Sequence, residues 1–152
     1  TNPGTGARSV IENAYAGPDG SFFSPGLGCE VVFSFSQAFT GEVTIWEATN
    51  GSRTSYPEGI EVYASADGLS WGAPVASILN NPGSTTFSVA GIYKYLKIVD
   101  VTPTLAGYAP KGDGFDIDAI SATLAPIPVP AGAALMGGAL LGMLGLRRSR
   151  KG

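Results

Sequence analysis

The chain has 152 residues, 44% of them hydrophobic and 14% charged, with 22 glycines and 11 prolines, which is one turn-rich globular domain's worth of sequence. Four of its nine basic residues (Arg147, Arg148, Arg150 and Lys151) fall in the last six positions, leaving five against twelve acidic side chains in residues 1–146. That acidic body excludes a nucleic-acid partner, which needs clustered cations, and the absence of histidine excludes His-based triads and His-ligated zinc.

In chain order, the sequence opens at Thr1 rather than Met, compatible with a removed secretory signal. The lone Cys29 has no cysteine to pair with and no histidine to activate it, and reads as a small residue near a turn. Strand-like stretches follow at 31–36, 42–47, 59–65, 85–89, 93–100 and 115–121. Val31, Phe33 and Phe35 alternate with Ser34 and Ser36, and Ile60, Val62 and Ala64 alternate with Glu61, Tyr63 and Ser65. This two-residue period belongs to strands with one buried and one wet face. Asp67-Gly68 suits a tight hairpin-type turn, and NNPGS (80–84) and KGDG (111–114) punctuate in the same way. No segment before residue 130 shows a 3.6-residue period. The expected fold of residues 1–124 is therefore all-β, an antiparallel sandwich with jelly-roll topology.

Acidic residues gather at a few turns: Asp19, Glu47, then Asp113, Asp116 and Asp118. Glu47 shares its strand face with Val43 and Ile45, so it points inward as the strand ends. A buried carboxylate needs a partner, and with few cations in the body a hard ion such as Ca²⁺ is a reasonable one. The spacing is not that of an EF-hand, and carboxylates at turns are also ordinary solvated residues. Asp116 and Asp118 form a carboxylate pair in the distance range of glycosidases, yet they stand on one strand instead of across a cleft. Aromatic side chains are numerous, and Tyr56 and Tyr108 lie in loops where they could stack on sugar rings. Trp46 and Trp71 read as packed.

Several of these stretches look familiar together. AYAGPDGSFFSPGLGCEVVFSF (14–35), EVYASADGLSW (61–71), YLKIVDVTP (95–103) and GDGFDIDAI (112–120) resemble, in order, motifs of bacterial discoidin-like domains. The departures are Cys29, where a second glycine is usual, and the SFFSP stretch before Gly26. The resemblance implies a galactose-binding-like jelly roll with glycan-binding loops at one end. It also implies a structural Ca²⁺ near Asp19, Glu47 and Asp118, with Asp116 completing the candidate set.

The chain closes on a Pro-rich linker (125–131), an uncharged run and a basic tip (147–152). As a helix, the run would span about 24 Å against a hydrocarbon core of about 30 Å, short but usable as a transmembrane helix over 132–146. A glycine-rich segment without a polar face and ending in four cations does not read as a core helix, and the positive-inside rule would place the body outside. Ile127-Pro128-Val129-Pro130-Ala131, the apolar run and the arginine cluster resemble the VPxPA variant of the PEP-CTERM sorting signals. That resemblance implies processing by an exosortase near the proline motif, after a transient stay in the bacterial inner membrane. It also implies display at the surface or in the extracellular matrix of a Gram-negative-type cell, alongside exopolysaccharide. The function expected is that of an exported, non-catalytic surface protein associating with glycans. A self-associating structural protein without a small ligand is the alternative, and an extracellular glycan hydrolase the third reading.

Overall fold

The structure, a computed structural model, describes residues 6–48, 56–80, 83–107 and 112–127. Five strands are present: β1 (Glu30–Glu47), β2 (Gly59–Ser65), β3 (Ala76–Leu79), β4 (Gly83–Asp100) and β5 (Ile117–Leu124). Three short 3₁₀ turns, Gly6–Ser9, Ile11–Tyr15 and Thr102–Thr104, are the described helical elements, as the lack of a helical period predicts. All strand pairs are antiparallel, in the order β3-β2-β4-β1-β5.

Strands β1 and β4 have 18 residues each. Straight, each would run about 60 Å, far beyond a core of this size, so the pair must bend. The register between them shifts between Ser34 and Phe39 and again between Phe39 and Gly41, where Gly41 supplies a φ of +73°. Bulges of this kind bend and twist a ladder. The first half of β1 pairs with the second half of β4, and the second half of β1 with the first half of β4. Strands β2 and β3 extend the first layer beyond Tyr95–Asp100, and β5 extends the second along Phe39–Glu47. One hydrogen-bonded sheet thus folds over itself into a sandwich, closed by a core in which Phe33, Phe39, Ile45, Ile60, Leu96, Ile98, Phe115 and Ile117 are fully buried. Phe35 and Phe39 fill the bend, with ring centroids 4.7 Å apart, and Tyr93 packs against Phe39 at 6.1 Å.

The expected strands at 31–36 and 42–47 are therefore halves of one strand, as are those at 85–89 and 93–100. Strand β3, with Ile78 as its buried residue, has no counterpart in the sequence reading because four residues show no recognisable period. Asp67-Gly68 does not form a tight hairpin. Residues 66–75 make a wider loop, in which Asp67 Oδ1 accepts from the Leu69 and Ser70 amides and from Ser65 Oγ. Cys29 is half-buried at a turn, its amide bonded to the Gly26 carbonyl.

Exposed Ile127 is the last described residue. Pro128, Val129, Pro130 and Ala131, the segment 132–146, the tip with Arg147, Arg148, Arg150 and Lys151, and Tyr108 all lie outside the described residues. Among the described residues no helix is long and apolar enough to cross a membrane.

Candidate functional site

The fold-over brings one end of each long strand to the same end of the sandwich. Period-2 alternation then places a carboxylate inside on three strands. Glu47 continues Val43 and Ile45 on β1, Asp100 continues Leu96 and Ile98 on β4, and Glu58 precedes Ile60 and Val62 of β2 in phase. Glu47, Glu58 and Asp100 are all buried, as are Asp116 and Asp118 at the start of β5. Inward-facing Glu47 is as the sequence indicates, whereas Glu58 and Asp100 are additions.

These acids divide by their partners. Asp100 is saturated: Oδ1 accepts from the amides of Gly28 and Thr102, and Oδ2 from Thr102 Oγ1 and the Phe115 amide. It ties the first turn, the Thr102–Thr104 turn and the approach to β5 together. Asp113 takes a bidentate contact from Arg8 Nη1, at 3.0 and 2.9 Å. Asp118 Oδ1 accepts from the amides of Asp19 and Gly20, at 3.2 and 3.1 Å, and Asp19 Oδ1 accepts from the Ser21 amide at 2.8 Å. Asp19 and Asp118 are thus brought together, but through backbone amides that hold the first loop in place. Among the described residues no group of three or more acidic or thiol side chains is arranged to hold a metal ion.

Asp116 and Glu58 differ from these. Asp116 Oδ1 is buried without a hydrogen-bond partner. Burial foremost, then the charge of Asp113, pushes the Asp116 carboxyl up to about 7 against the opposing pull of Arg8, with Glu47 and Asp100 adding to the rise. Burial, then the charge of Asp116 and next that of Glu47, raises Glu58 to about 8. Buried carboxyls with other acidic charges nearby cannot all ionise cheaply.

Beside this acidic end runs an open groove of ≈ 370 Å³, lined by Ala7, Arg8, Asn13, Gly20, Ser21 and Phe22. The Arg8 guanidinium lies 5.1 Å from the Phe22 ring centroid, and Asn13 Nδ2 donates to the carbonyls of Ala7 and Phe22. An aromatic ring with cationic and amide groups around it can take a hydroxylated ligand. Tyr56 is half-buried with its hydroxyl end against Gly112, and its carbonyl accepts from Asn80 Nδ2. Trp71 is half-buried and packs with Tyr63 around the Lys97 ammonium, at 5.1 and 4.9 Å, while Trp46 is half-buried in β1.

No protein-family model and no curated protein sequence matches the chain. Solved structures do. The chain is similar to CpGH89CBM32-6 produced by Clostridium perfringens (TM-score 0.55, 16% identity, covering 80% of this chain and 90% of that one). It is also similar to CBM32-1 from a family 31 glycoside hydrolase of the same organism (0.57, 17%, 81% and 90%). A third is CpGH89CBM32-4, solved in complex with GlcNAc-α-1,4-galactose (0.57, 14%, 80% and 85%). The fold is that of a CBM32-type β-sandwich. The discoidin-like architecture expected from the four motifs is thereby shown, at an identity that speaks to the fold alone. Within the CBM32-type frame, Arg8, Asn13 and Phe22 were not singled out in the sequence. Their signal is faint, since Arg8 meets Asp113 across 105 positions.

Proposed function

We propose that this chain is an exported, non-catalytic glycan-binding module displayed at a bacterial surface or in its exopolysaccharide matrix. The observation that carries this reading is the sandwich's likeness, over most of both chains, to carbohydrate-binding modules, one of them solved with a disaccharide. The groove beside Phe22 and Arg8 supports it with an aromatic face and polar groups at the loop end. The acidic pair does not favour a hydrolase: Glu58 and Asp116 are buried within the sandwich end, not set on either side of the groove. Display rests on the residues from Ile127 onward, whose motif, apolar run and basic tip resemble those of exosortase substrates, which would make the inner membrane a transient station.

A glycan array and an exopolysaccharide pull-down with the full chain test the binding. Retention that is lost on Phe22→Ala supports the reading. Absence of retention on every glycan would favour the structural, self-associating alternative. Intact mass of the surface-extracted protein tests the processing, and retention of residues 131–152 would defeat it.

A further inference from the structure

We propose that the first half of β4, 83–89, is a self-association edge, which pairs antiparallel with the same segment of a second copy of this chain about a two-fold axis at Phe87. The fold-over creates this edge. Strand β1 accompanies both halves of β4, but β2 lies against β4 only from Tyr95 to Asp100. Among the described residues, 83–89 therefore has a strand on one side alone. On its other side, alternate backbone N–H and C=O groups face away from β1, which is the template for a further strand. The remaining edges of the sandwich are each blunted. Strand β3 is only four residues long. Strand β5 carries Asp118 on its edge, its first residue Ile117 is bridged by Phe23, and the Ile11–Tyr15 turn packs against it. The first half of β1 opens on Glu30, which lies 3.7 Å from Lys97. Residues 83–89 have none of these devices: they include no charge and no proline, and no charged residue stands between Asp67 and Lys94.

Charge selects a second copy as the occupant. Residues 1–146 carry twelve acidic against five basic side chains, so two copies repel over most of their surface and approach best along a stretch without charge. An antiparallel strand pair about a two-fold axis is the arrangement in which one edge complements itself. With Phe87 on the axis, Thr85 falls opposite the partner's Val89, and Thr86 opposite the partner's Ser88. Thr85, Phe87 and Val89 stand in register with Ile45, Val43 and Gly41 of β1, on the core side, and Phe87 is half-buried in one copy alone. Pairing would set it against its counterpart and complete its burial. On the outer side, Ser84, Thr86 and Ser88 are exposed, and Thr86 Oγ1 meets Thr44 Oγ1 at 2.8 Å. Small hydroxyls there let another backbone approach. The edge is distinct from the groove among residues 7–22, so the inference does not rest on glycan binding.

The test is sedimentation equilibrium of the full chain from micromolar to submillimolar concentration, where a reversible monomer–dimer equilibrium is expected. Ser88→Lys places a cation on the edge and, in register with Glu42 of β1, gives it an opposite charge within its own copy, so the variant should melt no lower than the parent. Each dimer would hold that lysine twice, and dimerisation should weaken roughly tenfold or more. Ser121→Lys adds the same charge on the exposed side of β5 and should leave dimerisation unchanged. Hydrogen exchange of alternate amides between Ser84 and Val89 should slow as the parent is concentrated, and should not in Ser88→Lys. A chain that stays monomeric throughout overturns the inference. So does association that Ser88→Lys leaves intact, as contact through residues 131–146 would give, or that Ser121→Lys weakens equally. Polysaccharide retention by a monomer that is lost in Ser88→Lys would assign the edge to another occupant and likewise overturn it.

Discussion

The acidic end makes stability fall as pH rises. Glu58 moves from 4.5 in the unfolded chain to about 8 when folded. Between those values the native state binds more protons than the unfolded state, so the stability slope against pH is negative, and the full penalty is present above about pH 8. A displacement of that size has a ceiling of about 5 kcal/mol, and solvent screening where the cluster meets water brings it to about 2–3 kcal/mol. Asp116 shifts in the same direction, to about 7, and its charge is already among the causes of the Glu58 rise, so its share is not added separately. The Ser70 and Leu69 amides hold Asp67 well below the usual carboxylate range. Its contribution is therefore lost only on acidification and gives no slope from pH 5 to 9. Urea unfolding in EDTA should accordingly show greatest stability near pH 5 and a loss of about 2–3 kcal/mol by pH 9. Glu58→Gln should at least halve that slope and be the more stable protein at pH 9. A stability that is level or rising over this range, or a Glu58→Gln protein with the parental slope, refutes the reasoning.

Three further outcomes follow from the same end of the sandwich. Gly114→Ala should cost about 2–4 kcal/mol by urea unfolding, because its φ is +89° and a Cβ there would press on Asp100 Oδ2. Asp100→Asn should cost about 2–4 kcal/mol, since an amide turns an NH₂ group toward donors that the carboxylate accepts. Asp118→Ala removes the acceptor for the Asp19 and Gly20 amides, and hydrogen exchange at those two positions should accelerate roughly tenfold, while the amides of β4 keep their protection.

The sandwich was legible in the sequence because alternation along Val43-Ile45, Ile60-Val62 and Leu96-Ile98 reports burial directly, and the four discoidin-like motifs fall on it in order. The bend was not. Ser34 to Gly41 reads as a break between two strands, whereas bulges carry one strand from layer to layer. That difference decides the site. Treated as separate strands, Glu47, Glu58 and Asp100 end in unrelated places, and only Glu47 stands out as inward-facing. Glu58 is hidden inside Tyr-Pro-Glu-Gly, which reads as a turn. Once β1 and β4 double back, extending each alternation by one step brings all three acids to one end, where β5 adds Asp116. Hydrogen bonding, which no local pattern encodes, then sorts them. Asp100 with four donors and Asp118 with two amides hold loops in place, so exchanging them should cost stability at any pH. Asp116, with an oxygen lacking a donor, and Glu58, raised by burial, leave charge that the fold itself does not balance. Substitution there should instead change how stability responds to pH, which separates these two acids from the structural carboxylates a few residues away.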